Sequence, residues 1–389
     1  MTGRERLQAI LNRQPVDRPA WTTLVDDVTR QGMPDEVRRL SPFDFYRHIG
    51  CDILQFGNYG LGPEDAVPPP SQWKCPGLVF EIEREQNGRP FTLRQETGVV
   101  VGAGDPAASG HMTVRRISPW GTLTTVFDHD HPVEYPVKTV EDLRLLRTIW
   151  EASDYVELSG MEAAMARTEQ RIGADGLYVP ILDPSPVQHL LEYEMGVTNF
   201  YYLLDDHRRE MEALLEAMQA KRVKEYDILA RRTTADVVIS LENTSSSLIS
   251  PAVYEAYSLP QIRDYVDVLH AHGKKAVLHM CGCLKALLPV IRGTGLDGIN
   301  AVTPPPVGTT SFEDVLDAYG DDFLLFGGIL CPTFFHRPDL KPDEIRAFLD
   351  RLYTPRLRRA NLVLWLAVDG LATPLERFLS VGQWMAQRG

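Results

Sequence analysis

Apolar residues in this chain gather in short continuous runs, and nearly every run is separated from the next by a stretch with helical spacing. The runs lie at 20–25, 52–56, 176–182, 236–241, 276–281, 296–302, 323–330 and 361–368, and each runs into a turn signal, with Glu242-Asn243-Thr244 after the fourth and Cys331-Pro332 after the seventh. Runs without polar alternation predict strands covered on both faces, which is the environment crossover helices create around a parallel sheet. Between them the spacing predicts helices over 42–49, 140–149, 155–171, 187–204, 208–229, 251–272, 284–292, 342–353 and 374–387. A further helix is expected over 2–13, with Thr2 as its N-cap.

From about Leu78 to Phe127 the pattern changes to strand and turn: Leu78–Glu83, an Asn87-Gly88 hairpin signal, Phe91–Arg94, Val99–Val101 and Met112–Arg115. These predict an antiparallel β insertion, about residues 61–138, over one mouth of the main domain and suited to a lid, an interface or a purely structural flap. Eight strand–helix units predict an α/β protein with a (β/α)8 TIM barrel, an N-terminal helical segment and that insertion, forming one domain over residues 1–389. An open doubly wound sheet is the rival, but no Gly-x-Gly-x-x-Gly follows a strand and no P-loop is present.

Charge narrows the partners. Lys and Arg total 40 against 53 Asp and Glu, a net charge of -13 with no basic run, so a phosphate backbone is not an expected ligand. No window is apolar enough to span a membrane, and the opening residues lack a signal-peptide core, so a cytoplasmic location is expected. Five cysteines, Cys51, Cys75, Cys281, Cys283 and Cys331, do not form an even framework, which turns attention from disulfides to metal binding or catalysis.

In a barrel the C-terminal strand ends share one mouth. There the sequence places Asp26 and Asp27, Asn58 and Tyr59, Asp183, Glu242 and Asn243, His279 and Cys281, Thr303, Cys331 and Asp369. His279 and Cys281 stand two apart, on one face of a strand end, and an imidazole beside a thiol is half of a zinc site. The plain alternative is a hydrogen-bonded core histidine beside an inert thiol. A catalytic zinc needs about three protein ligands. Cys331, Glu242 and Asp369 are the available companions, and Glu242, His279 and Cys281 the catalytic candidates. Asn58, Tyr59, Asp183 and Asn243 are candidate substrate contacts.

These residues sit within a pattern that resembles the uroporphyrinogen decarboxylase superfamily, and within it the zinc-dependent, corrinoid-linked methyltransferases. The resemblance is carried by Arg4-Glu5-Arg6-Leu7 with Asp17-Arg18-Pro19, Trp120-Gly121-Thr122-Leu123, Leu248-Ile249-Ser250-Pro251 through Tyr254 to Leu259-Pro260, and His279-Met280-Cys281-Gly282. Gly328-Ile329-Leu330-Cys331-Pro332 and Thr373-Pro374-Leu375-Glu376 complete it, and the His-x-Cys-Gly element is the most specific. The resemblance implies a single (β/α)8 barrel. The decarboxylase branch carries an Arg-rich N-terminal stretch for porphyrinogen carboxylates, whereas Trp21–Asp27 here is acidic and holds no arginine. The methyltransferase branch uses the His-x-Cys pair plus a later ligand, often a Cys at the last strand. Asp369 occupies that place here, so Cys331, Asp369 and Glu242 stay open as the third ligand, the last because related enzymes that cleave aryl methyl ethers use Glu-type ligands.

The implied function is methyl transfer between a small methylated substrate or a thiol and a corrinoid, O-demethylation included. Zinc would either hold a thiolate nucleophile or polarise the leaving atom of a methylated substrate. No Asp-x-His-x-x-Gly cobalamin signature is present, since Val277 and Val268 stand where its Asp would be, so the corrinoid (methylcobalamin or cob(I)alamin) is expected on a partner protein. The alternatives are a decarboxylase-like lyase and a non-catalytic corrinoid- or metal-binding barrel.

Overall fold

The computed structural model describes residues 1–86, 89–96, 110–129, 131–328, 332–366, 368 and 370–388. The expected hairpin turn at Asn87-Gly88 and the expected Val99–Val101 strand lie outside the described residues. The chain forms two compact units, one from Met1–Pro68, Gly160–Asp183 and Arg232–Gly389, the other from Pro69–Ser159 and Pro184–Arg231.

The first unit holds all eight expected strands. They are β1 (Ala20–Thr23), β2 (Ile53–Phe56), β3 (Gly176–Val179, continued as Ile181–Leu182), β4 (Val237–Ser240), β5 (Lys275–His279), β6 (Gly298–Val302), β7 (Leu324–Gly328) and β8 (Leu362–Leu366). Parallel ladders join β2 to β3, then β3 through β8 in order, and β8 to β1. Pro180 interrupts β3 because it has no N–H, yet its carbonyl still accepts from the Ile239 amide at 3.1 Å. The remaining seam, β1 to β2, is tied by the Asp52 amide donating to the Trp21 carbonyl at 2.8 Å and the Leu54 amide donating to Thr22 Oγ1 at 3.3 Å. The result is the (β/α)8 barrel that the run pattern predicted.

The pleat sorts side chains. Leu54 and Phe56, Val237 and Ile239, Val277, Phe326, Val363 and Trp365 share one buried apolar cluster with Leu7, Ile10 and Leu11 of the first helix, Gly3–Leu11. That helix opens with the predicted Thr2 cap, reciprocated by the Glu5 carboxylate. It lies at the N-terminal ends of the strands: Arg4 Nε donates to the Gly173 carbonyl just before β3, and Arg6 Nη1 reaches Asp52 just before β2 at 2.5 Å. Arg18 donates to both oxygens of the same carboxylate, at 2.9 and 3.0 Å, and Arg6 also holds Asp17. Asp52 and Arg6 are 1% and 3% exposed, so these charges are tolerable only because each is paired. The Arg6, Asp17 and Arg18 positions of the N-terminal motif therefore close the floor of the barrel, and the opposite end is left to the loops.

The second unit contains a five-stranded antiparallel sheet ordered Arg89–Gln95, Val79–Gln86, His111–Ser118, Gly121–Asp128, His131–Glu134, inside the span expected for the insertion. Gly121, at φ 152, follows the exposed Trp120 in its central hairpin. The helix expected over 155–171 is different in part. Asp154–Glu157 is a strand paired antiparallel with Ser71–Lys74, with Tyr155 buried and Val156 exposed, and the helix starts only at Met161, after Gly160 in a left-handed conformation. Period-two alternation over four residues was hidden beneath the helical spacing that follows it. The helix expected over 187–204 is broken at Leu190–Glu194 into a wider π turn. Another, expected over 284–292, is reduced to Leu288–Ile291, with Pro289 in its first turn, and a short 3-10 turn.

The π turn ends at a residue with several buried partners. Glu194 accepts two hydrogen bonds from Arg116, at 2.8 and 2.5 Å, and lies 3.2 Å from His189 Nε2, while its carbonyl accepts from Val137. Burial raises the Glu194 carboxyl, but Arg116 and His189 outweigh it and pull it down to about 2. A carboxyl depressed by folding contributes stability that is complete above its unfolded value and drains as pH falls through the folded one. We therefore expect urea unfolding of the wild-type protein to lose on the order of 3 kcal/mol between an ordinary Glu value and the depressed one. Glu194→Gln should lack that component, and equal acid sensitivity in the two proteins would contradict it.

Candidate functional site

His279 ends β5, and the register sets it directly beside Asn300 of β6. Its imidazole is half-buried, with the Phe56 ring 6.1 Å away, and Phe56 in turn meets Trp365 edge-on at 5.3 Å. His279 Nδ1 lies 2.5 Å from Asn300 Oδ1. Desolvation lowers the His279 pKa and the Asn300 hydrogen bond opposes this only in part, so the ring is held neutral. An amide oxygen can only accept, so a neutral imidazole hydrogen-bonded in this arrangement donates from Nδ1.

Asn300 itself was not legible as a site residue, although a lone amide inside the run 296–302 was the available signal. It is fully buried, and its Nδ2 has no hydrogen-bond partner among the described residues. Just beyond it, Ala301 takes φ 66 and the β6–β7 register slips by one residue. Such bulges re-aim neighbouring side chains and recur beside functional sites.

Past His279 the chain leaves the strand. Met280 is buried and its amide donates to the Asn300 carbonyl at 2.9 Å, whereas Cys281 is exposed with its Sγ 3.8 Å from Asn243 Oδ1. The loop after β5 rests on the loop after β4: the Asn243 amide donates to the His279 carbonyl, the Cys283 amide to Ser245 Oγ, and the Ser246 amide to the Cys283 carbonyl. Gly282 makes this possible, since a Cβ there would stand 2.4 Å from Ser245 Cβ and 2.6 Å from the Thr244 carbonyl oxygen. The Gly of His-x-Cys-Gly is thus a spacing requirement between two loops.

Glu242 is 1% exposed, at the end of β4, and its negative charge, after burial, is the next cause that pushes the pKa of the fully buried Tyr254 phenol up and so opposes its ionisation. The Tyr254 hydroxyl has no hydrogen-bond partner among the described residues. Asn243, at φ 42, turns the chain back beside Cys281. Asp183 is exposed at the end of β3. Asn58 spends both ends of its amide on the Val67 backbone, at 2.8 and 2.9 Å, and so fastens its own loop. Tyr59 donates to Asp26, which also accepts from Thr29 and from the Gly370 amide, so one carboxylate gathers the ends of β1, β2 and β8. Cys51 and Cys75 are buried thiols whose ionisation burial suppresses.

The donor chemistry of His279 and Cys281 suits zinc: a neutral imidazole with its second nitrogen hydrogen-bonded, and an accessible thiol two residues on. Among the described residues no group of three or more His, Cys, Asp or Glu is gathered to hold a metal. Cys331 and Asp369, two of the expected third ligands, lie outside the described residues.

The ring of eight parallel strands, with its polar groups at the C-terminal ends, defines a (β/α)8 barrel of the kind that carries its chemistry at that mouth. The model of the family described as uroporphyrinogen decarboxylase (URO-D) matches residues 133–328, just over half of the chain, and the chain belongs to that family. No curated protein matches it. Among solved structures it is similar in fold to a methyltransferase from Methanosarcina mazei, with a TM-score of 0.54 and 16% identity over 100% of this chain and 99% of that one. A xylose isomerase-like TIM barrel/4-hydroxyphenylpyruvate dioxygenase fusion protein matches at a TM-score of 0.29 and 10% identity, over 64% of this chain and 40% of that one, and carries no argument.

Gly282→Ala should force the two loops apart, destabilising the protein by about 1–3 kcal/mol, the usual cost of overpacking. It should also make the Cys281 thiol react with a disulfide reagent at an altered rate. Unchanged melting together with unchanged thiol reactivity would show that the close loop contact is unimportant.

Proposed function

We propose that this protein is a zinc-dependent methyltransferase that moves a methyl group between a small methylated molecule or thiol and a corrinoid delivered by a separate protein. The observation that carries the reading is His279, its pKa lowered by burial and its Nδ1 2.5 Å from Asn300 Oδ1, two residues from the exposed Cys281 thiol at a barrel mouth. Membership of the uroporphyrinogen decarboxylase family and the fold shared with a methyltransferase support it. The acidic, Arg-free Trp21–Asp27 stretch, whose Asp26 is consumed in tying strand ends together, offers no grip for porphyrinogen carboxylates.

In this reading His279 Nε2 and Cys281 Sγ hold the metal, and Cys281 gives up its proton on doing so. Bound zinc would stabilise an incoming thiol as thiolate or polarise the leaving atom of a methylated substrate. Cys331, Asp369 and Glu242 are the proposed sources of the third ligand. Phe56 lies beside the imidazole and is itself backed by Trp365, an apolar flank on one side of the ring. Asn243, beside the thiol, and Asp183 are the proposed substrate contacts. The small methylated molecule and the partner corrinoid protein follow from the reaction, and a cytoplasmic location suits both.

The test combines metal analysis with spectroscopy of cob(I)alamin methylation across methyl ethers, methylamines and thiols. The expected result is about one zinc per chain and turnover with at least one class, both abolished in Cys281→Ala. Variants at Cys331, Asp369 and Glu242 would identify the third ligand by which one also loses metal. Absence of zinc after gentle purification, with metal content indifferent to Cys281→Ala, would overturn the proposal.

A further inference from the structure

We infer that Asn300 is a positioning residue: its Oδ1 fixes His279 as the Nδ1–H tautomer and so dedicates Nε2 to the ligand side of the site. The inference takes its consequence, though not its geometry, from the zinc reading above.

His279 and Asn300 are register partners on adjacent parallel strands, and the Met280 amide donates to the Asn300 carbonyl at 2.9 Å, so neither backbone can drift from the other. On this frame the two side chains meet at 2.5 Å through Nδ1 and Oδ1. A neutral imidazole left to itself in water prefers its proton on Nε2, which would leave the wrong nitrogen bare. An amide oxygen facing Nδ1 reverses that preference, because it cannot donate.

The rest of Asn300 is poorly explained by a structural role. It is fully buried in a barrel strand, yet its Nδ2 finds no partner among the described residues, and an amide kept for stability alone would have both ends satisfied. An apolar side chain of similar volume would avoid burying that orphan donor. Immediately after it the chain adopts a left-handed alanine and a register slip, at a position where a regular strand would carry no such strain. The common element is the placement of one oxygen against one nitrogen. Ligating histidines commonly have their second nitrogen fixed in this way, and loss of the fixing group typically weakens metal binding 10–100-fold.

The test uses the full chain labelled with 15N-histidine, with the His279 signals assigned by their loss in His279→Gln. In the metal-free wild-type protein, Nδ1 should show the protonated and Nε2 the bare type of shift. Asn300→Asp keeps an acceptor and should preserve both this pattern and zinc affinity, measured by chelator competition. Asn300→Leu should let the proton move to Nε2 and weaken zinc about 10–100-fold. Should Asn300→Leu fail to fold, the wild-type spectrum and Asn300→Asp still decide. A wild-type His279 protonated on Nε2, which means that the amide faces it with Nδ2, overturns the inference, as does an Asn300→Leu protein that folds and retains both the tautomer and the affinity. A chain that shows the Nδ1–H tautomer but binds no zinc upholds the inference and removes the zinc reading instead.

Discussion

The register of three neighbouring parallel strands governs everything at the mouth of this barrel. β4, β5 and β6 are locked by ladders that pair Ile239 with Val277 and His279 with Asn300. A slip of one residue would exchange inward for outward side chains along a whole strand. It would turn His279 away from Phe56 and separate it from Asn300 Oδ1. Closure of the ring prevents such a slip. Each strand is held from both sides, and the weakest seam, β1 to β2, is reinforced by Asp52, whose backbone amide binds the Trp21 carbonyl and whose carboxylate gathers Arg6 and Arg18.

Charge is spent differently at the two ends of the strands. At the floor, the buried Arg6 and Asp52 pair with each other and with Asp17 and Arg18 nearer the surface. At the mouth, Asp26 does comparable work for the ends of β1, β2 and β8, and hydrogen bonds from Thr29, Tyr59 and Gly370 overcome its burial to keep the carboxyl below its ordinary range. The β4–β5–β6 sector is built otherwise. It joins an exposed thiol, a neutral imidazole at a strand end, a buried carboxylate at Glu242 and an amide inside β6 whose donor has no partner among the described residues, where the loops after β4 and β5 touch through Gly282. Polar and nucleophilic groups gathered on a scaffold this tightly specified are what a ligand site requires.

Much of the fold was legible because burial on both faces leaves a direct mark in the sequence. The eight apolar runs became eight strands, and the turn signals between them fell in the loops. Thr2 was readable as a cap for the same local reason. The failures were also local. Asp154–Glu157 is only four residues long and owes its strand form to pairing with Ser71–Lys74, a contact that no window of sequence contains. The π turn at Leu190–Glu194 ends at Glu194, whose carboxylate is held by Arg116, far away in the chain. Of the candidate site, His279 and Cys281 were visible through their spacing. Asn300 was not, because its meaning comes from a neighbour 21 positions earlier across a ladder. Asn58 illustrates the converse: a polar residue at a strand end looked like a substrate contact, but its amide is committed to the Val67 backbone.

The central claim is that His279 and Cys281 hold one zinc ion together, and X-ray absorption at the zinc edge addresses it most directly. The zinc-loaded wild-type protein should show nitrogen at about 2.0–2.1 Å and sulfur at about 2.3 Å in the first shell. A Cys281→Ser protein that still takes up metal should lose sulfur from that shell, and His279→Gln should lose nitrogen. A zinc spectrum identical in all three proteins would place the metal elsewhere and contradict the site.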